Sequence, residues 1–387
     1  MLFGATISYL SWHFKPESLY SILPLIILVM IFCWGRAQTP LFAFAIFFGY
    51  YLEFAADVPF AYGKLYPSSS SSYAYFGLIF HAVILALPWY PINKIKSIQL
   101  PIILLVTLLP PFGIINWGHP LLVSGLIFPG LGFVGIILTG LLFYVITINK
   151  TDQLKIGIIL ATIVLVGTSI SSNIQYQHPE KSLTKIGIDT NFKGGMAGEN
   201  FLNRYSIIDK LAIKAIEDGY KVIIFPEEII DIWFEGASYL MSTSVQKARE
   251  NNVTILVGAN IGLNLKPYKA VELFSDSLVN PLTDKIIASA RVPMPVGNWR
   301  LTAPTTTHDI YATNVVLINK VPTSIIFCYE ELLIYPVLFD SLAGAKSIIA
   351  VVNDWTVDGT KSIHVQARSM AMTARMFGLL VTTARNK

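Results

Sequence analysis

The stretch Ile325-Ile326-Phe327-Cys328-Tyr329-Glu330-Glu331 decides the fold. Its apolar residues are β-branched or aromatic and too few for a helix, so they read as a buried strand. The strand ends on a thiol, with two carboxylates directly after the next residue. A second stretch, Val222-Ile223-Ile224-Phe225-Pro226-Glu227-Glu228, repeats the pattern about a hundred residues earlier. There a carboxylate, Glu227, stands at the exit. An α/β protein presents a nucleophile and a base in this way, each at the end of a buried strand. The other cysteine, Cys33, lies in a hydrophobic segment, which argues against a disulfide framework. An isolated cysteine is most often a small buried hydrophobe. The acids beside Cys328 favour a reactive one.

Composition divides the chain in two. Of 387 residues, 53% are hydrophobic and 13% charged, and the mean hydropathy is +0.58. Residues 1–172 hold only 11 charged side chains; the others follow. Apolar stretches run at 21–34, 40–56, 74–92, 98–117, 120–148 and 156–172; most are near the roughly 20 residues that span a bilayer, the first being short and the fifth long. Six spans are expected, up to eight if residues 1–14 and a split at Pro129 contribute. Residues 1–14 lack the basic start of a signal peptide. The basic connections at Lys94–Lys96 and Lys150–Lys155 lie two spans apart and belong inside by the positive-inside rule. The part after 172 is then extracytoplasmic. Glu53 and Asp57 fall near the outer interface, where water solvates them. The net charge of +4 shows no block of like charges and gives no reason to invoke nucleic acid.

From Lys185 the pattern becomes one of short strands and amphipathic segments. Strands are expected at 185–189, 221–225, 253–259, 312–318, 324–327, 347–352 and 379–382. Helices are expected at 198–218, 239–250, 332–342 and 364–376. That alternation argues for α/β layering. Residues 264–311 read as loop-rich. Arg368 and Arg375 share a helix face and read as surface charges. No P-loop, glycine-rich dinucleotide turn or metal-ligand spacing is present, so no cofactor or metal is expected.

The motifs of this half resemble the carbon–nitrogen hydrolase (nitrilase) superfamily, and within it the membrane-bound apolipoprotein N-acyltransferases. They are Ile186-Gly187-Ile188-Asp189-Thr190-Asn191, Phe225-Pro226-Glu227, Phe327-Cys328-Tyr329-Glu330, Val352-Asn353-Asp354-Trp355, Gln366–Ala371 and Ala384-Arg385-Asn386. Each resembles a family segment, in the family's order, across about 185–386. The run Ser289–Trp299 is similar to the TraB-type branch of conjugative plasmids. The resemblance implies a multi-span α-helical membrane domain (1–172) followed by an α/β nitrilase-like domain (183–387, short at its C-terminus) with a layered α-β-β-α sandwich. It also implies a monomer in the bacterial inner membrane, with the second domain periplasmic and a link to conjugation proteins.

The family's chemistry uses a Glu-Lys-Cys triad. Carried over, Glu227 is the general base and Cys328 the nucleophile that forms a thioester, and Glu330 helps to position them. Tyr329, Asn353 and Trp355 position substrate. The acyl donor in this branch is a phospholipid and the acceptor the N-terminus of a lipoprotein; a non-catalytic scaffold of a conjugation apparatus, or an amidase, are the alternatives. The chain departs from the family at the lysine, whose position falls on Ala290 or Arg291. Arg291 in place of the lysine could stabilise an oxyanion but never gives up its proton. Lys285 is the lysine nearby. The glutamate of the same loop is replaced by Asn298 or Trp299.

Overall fold

The computed structural model describes residues 1–13, 22–69, 71–91, 96–148, 155–177, 183–192, 201–234, 236–263, 273–295 and 309–387. The chain forms two compact units. The first holds residues 1–179 together with 332–337 and 359–379. The second holds 180–331, 338–358 and 380–387. The division therefore follows no single cut in the sequence.

The first unit is helical. The helices Leu2–Ser8, Ile27–Arg36, Pro40–Phe54, Val58–Leu65, Ser71–Ala86, Lys96–Leu108, Gly132–Thr147 and Lys155–Gln175 account for most of it. Among the described residues, two helical stretches, Pro40–Leu65 and Ser71–Trp89, are long and apolar enough to cross a membrane. The expected 120–148 span is broken. Pro120–Ile127 and Gly132–Thr147 meet at a bend of 114°, where Gly130 and Gly132 take positive φ and Pro129 cannot donate an amide. The bend leaves carbonyls at the end of the short helix. Asn173 Nδ2 donates to Leu126 O and Ile127 O at 3.1 Å, and Ser169 Oγ to Ile127 O at 2.7 Å. Such replacement partners are what backbone needs wherever water is excluded.

The helix Ser362–Phe377 also belongs to this unit. Its first turn is held by Asp57, which accepts from Ser362 N at 3.0 Å and Ser362 Oγ at 2.9 Å. Arg368 is buried and donates to Ser11 O. Arg375 Nε donates to Gly125 O at 2.8 Å, and its guanidinium lies over the Tyr176 ring. These two arginines are thus not surface charges; each satisfies a carbonyl of another segment. A Cβ at Gly125 would stand 2.2 Å from Met372 O, so the helix approaches where only glycine fits.

The second unit is built on two sheets. The strands are β1 (Lys185–Gly187), β2 (Val222–Ile224), β3 (Ile230–Trp233), β4 (Thr254–Leu263), β5 (Leu273–Asn280), β6 (Lys285–Ser289), β7 (Val315–Ile318), β8 (Val321–Phe327), β9 (Ser347–Asn353) and β10 (Leu380–Asn386). One sheet runs β1-β2-β4-β5-β6, with β3 also on β4; the other runs β10-β9-β8-β7. β1, β2 and β4 are parallel, as are β8, β9 and β10. Val222, Ile224 and Leu256 of the first sheet pack with Ile325, Phe327, Ile349 and Val351 of the second. The alternate residues Ile223, Ile255 and Val257 face the helices Phe201–Glu217 and Ser242–Glu250. Strands buried on both faces need near-continuous apolar runs, which is why these runs were legible. The edges of the sheets meet at Gly187, where a Cβ would stand 2.0 Å from Thr383 O.

Seven expected strands are present with shifted ends. β5 and β6 correct the loop-rich reading of 264–311. Their sequences, LFSDSLVN and KIIAS, carry too many polar residues to stand out. Pairing with β4 in an antiparallel ladder makes them strands.

Candidate active site

Parallel strands deliver the functional residues at their carboxyl ends, the usual place for a site in an α/β sheet. β8 runs into a short 3₁₀ turn, Cys328–Leu332. Phe327 stands opposite Val351 of β9, which brings Cys328 beside the strand's last residues. The Cys328 thiol donates to Asn353 O at 3.6 Å. It also shares a hydrogen bond with the Glu227 carboxyl. Glu227 arrives from the other sheet, just beyond β2. Its close approach depends on Gly258 in β4, where a Cβ would lie 2.0 Å from Pro226 O and 2.6 Å from Glu227 Cα.

Cys328 is half-buried and Glu227 is buried. Burial pushes the Glu227 carboxyl well above its ordinary value, and the neighbouring carboxylates of Asp276 and Glu228 push it further. Burial, then the charges of Glu227 and Asp354, push the Cys328 thiol well up. Removing a proton from either group is disfavoured by the charge of the other. At rest the sulfur keeps its proton. The contact with Cys328 works the other way on Glu227, favouring its charged form against the larger effect of burial.

The turn that carries Cys328 is anchored on both sides. Glu330 is buried, and its Oε1 accepts from Arg291 N at 2.8 Å and Val292 N at 3.1 Å. Its Oε2 accepts from Phe327 N at 3.3 Å. Glu330 thus ties the exit of β6 to the exit of β8. Glu331 accepts two bonds from Arg385 Nη2, at 2.9 and 2.7 Å, while Arg385 Nη1 donates to Asp354 at 2.9 Å. The two carboxylates raise the Arg385 guanidinium further above its ordinary range, against the opposing effect of burial.

Arg291 has a different setting from a cation aimed at the sulfur. It is 1% exposed. Both Nη atoms donate to Asp340, each at 2.8 Å. Nη1 also donates to Ala312 O and Nη2 to Ile325 O, both at 3.2 Å, and Nε lies 3.5 Å from Glu330. The two Nη atoms of this planar fork hold Asp340, and the guanidinium stands beside Glu330. Lys285 is exposed at the start of β6, and Ala290 is buried in the core between the sheets. Tyr329 is buried within the turn and Trp355 half-buried just after β9. Asn298 and Trp299 lie outside the described residues.

The structure therefore brings together Glu227, Cys328, Glu330 and Asn353, and adds partners that the sequence did not single out. Asp340 is 49 positions from Arg291, with no local pattern to mark the pair. Arg385 and Asn386 were visible as a matching segment but not as an ion-pair and amide bridge. Glu228 had the plainest signal, since it stands beside Glu227. Among the described residues, no group of three or more His, Cys, Asp or Glu side chains is placed to hold a metal.

No family model matches the chain. It is similar to "Conjugal transfer protein TraB" of Agrobacterium fabrum, 25% identical over 284 residues, covering 72% of this chain and 64% of the relative. The chain thus spans less than two thirds of that relative's length. It is also similar to "Probable conjugal transfer protein TraB" of Sinorhizobium fredii, 21% identical over 379 residues, with 92% of this chain and 91% of the relative covered. Among solved structures, an amidase of the nitrilase superfamily from Nesterenkonia matches with a TM-score of 0.36 at 14% identity, over 54% of this chain and 78% of that one. A variant of the same amidase, showing covalent addition of the acetamide moiety of fluoroacetamide at the active site cysteine, matches with a TM-score of 0.37 at 15% identity, over 54% and 79%. The chain is similar to TraB-type proteins, the branch to which its motifs pointed.

Proposed function

We propose that this chain is a membrane-bound acyl-transfer enzyme that works through a thioester on Cys328. The observation that carries this reading is the hydrogen bond between Cys328 and Glu227 at the meeting strand ends. In the first step the Glu227 carboxylate takes the thiol proton as the sulfur attacks an ester carbonyl. The C–S bond forms, the C–O bond breaks, and the leaving alcohol takes the proton from Glu227. An amine then attacks the thioester. The C–N bond forms, the C–S bond breaks, and the proton lost by the amine returns to the thiol through Glu227. Dividing one acyl transfer into two steps lowers the barrier of each. A raised carboxyl is a stronger base once it has lost its proton, which suits it to a thiol held above neutrality.

The donor proposed is a phospholipid and the acceptor the N-terminal amine of a lipoprotein. The apolar helices of the first unit support a lipid donor, and the names of the relatives support a setting in conjugal transfer. In this reading the first unit crosses a bacterial inner membrane several times and the second faces the periplasm. One observation favours a second reading. The charges next to the sulfur in the site described are carboxylates, and they resist thiolate formation. A nitrilase-like scaffold of low activity in a conjugation apparatus would tolerate this.

The test is acyl-thioester trapping. Purified protein in detergent is incubated with phospholipid carrying a tagged acyl chain, beside a Cys328→Ala control. Label that is released by neutral hydroxylamine and missing from the control is the expected result. Failure to label with any of several phospholipids, with the protein folded, would leave the scaffold reading in place.

A further inference from the structure

Glu228 follows the general base and takes no part in the chemistry above. Its backbone is left-handed, with φ 51°, which is uncommon for a residue with a Cβ. Its carboxylate is engaged at both oxygens. Oε2 accepts from Asn353 Nδ2 at 2.9 Å and Oε1 from Asn260 Nδ2 at 3.3 Å. Asn353 is the residue whose main-chain carbonyl receives the Cys328 thiol. Its Oδ1 accepts in turn from Asn386 Nδ2 at 2.9 Å, because the register places Asn353 opposite Asn386. Asn386 Oδ1 accepts from Thr190 Oγ1 at 2.9 Å and Phe192 N at 2.7 Å. A chain of side-chain bonds thus runs from β4 through Glu228 and β9 to β10 and the segment after β1.

We propose that Glu228 is a positioning residue that fixes the distance between base and nucleophile. By sequence it is joined to Glu227; through Asn353 it holds the carbonyl that orients the Cys328 thiol. The clamp therefore governs both partners of the reacting pair from one side chain. A carboxylate is needed because two amide groups must be accepted at once. This inference rests on the acyl-transfer reading for its purpose, but its geometry can be tested without it.

The polarity of the clamp can be reversed. Glu228→Gln keeps one acceptor for Asn260 and turns a second donor on Asn353, so the clamp opens. Asn353→Asp sets two carboxylates against each other. In the double variant the amide introduced by Glu228→Gln would donate to the carboxylate introduced by Asn353→Asp, whose other oxygen still accepts from Asn386. Thioester formation from tagged phospholipid should fall about ten- to a hundredfold in each single variant, the loss expected when reacting groups move by about 1 Å. In the double variant it should return to within about threefold of the starting protein. A second arm measures alkylation of Cys328 by iodoacetamide at pH 8 in full-length protein carrying Cys33→Ala. Each single variant should change that rate at least threefold, and the double variant should restore it. A Glu228→Gln protein that labels and alkylates like the parent, or a double variant no better than the singles, overturns the proposal. If the parent forms no thioester but alkylation shows loss and rescue, the acyl-transfer reading fails and the clamp stands.

Discussion

Replacing Arg291 tests what this buried cation does. Arg291→Ala removes two 2.8 Å bonds to Asp340, two 3.2 Å bonds to carbonyls and a 3.5 Å contact with Glu330. Asp340 keeps only Asn314 N and Ser324 Oγ as donors among these contacts. Breaking a buried ion pair from one side costs about 3–5 kcal/mol, since the partner charge stays in the interior. For a unit of this size each kcal/mol moves Tm by about 2–4 °C, so a fall of roughly 10 °C is expected. Arg291→Lys should fall about half as far, because a point charge replaces a fork. Arg291→Met with Asp340→Leu should recover most of the loss, since an apolar pair leaves no charge stranded. Thermal unfolding in detergent, followed by circular dichroism, reads all three. A catalytic cation at the sulfur would behave in the opposite way: Arg291→Ala would keep its Tm and lose thioester formation. That outcome would refute the structural role.

Two further outcomes are expected. Gly258→Ala should reduce thioester formation about a hundredfold, because its methyl would sit 2.0 Å from Pro226 O and push the Glu227 backbone away by about 1 Å or more; a variant with parental labelling would show that the strand yields without moving the base. The pH dependence of stability should expose Glu227. Its folded value stands above the ordinary 4.5, so the folded state holds a proton that the unfolded chain has released. The resulting stabilisation is complete below about pH 4.5 and is lost as pH rises through the folded value. Glu227→Gln should therefore gain stability over the parent as pH rises from 4.5, and parallel melting curves at pH 5 and pH 9 would contradict this.

The site was half legible in the sequence. Apolar runs ending in Cys328 and Glu227 marked strands and their exits because both faces of each strand are buried. What escaped were relations set by tertiary geometry. β5 and β6 owe their state to pairing rather than composition. Arg291 fitted a catalytic slot by its match to the family's lysine position, while its carboxylate partner lies beyond β7 and β8, in the helix Tyr335–Leu342. Arg368 and Arg375 looked like surface charges because a helix wheel shows which residues share a face, not what the face meets. The bend after Ile127 was hinted at by Pro129, yet the side chains that make it tolerable come from another helix.

The division of the chain into units bears on how it is made. A ribosome delivers residues in order, at about 5–20 per second. The helix Ser362–Phe377 emerges after nine of the ten strands described in the other unit have been made, roughly 10–40 s after the helix Lys155–Gln175 at that rate. Until then Asp57, Ser11 and Gly125 wait for the groups that will satisfy them. A nascent chain halted before residue 359 would carry an unfinished bundle however well its earlier helices had packed, so synthesis of the helical unit ends only when that of the sheets is nearly over.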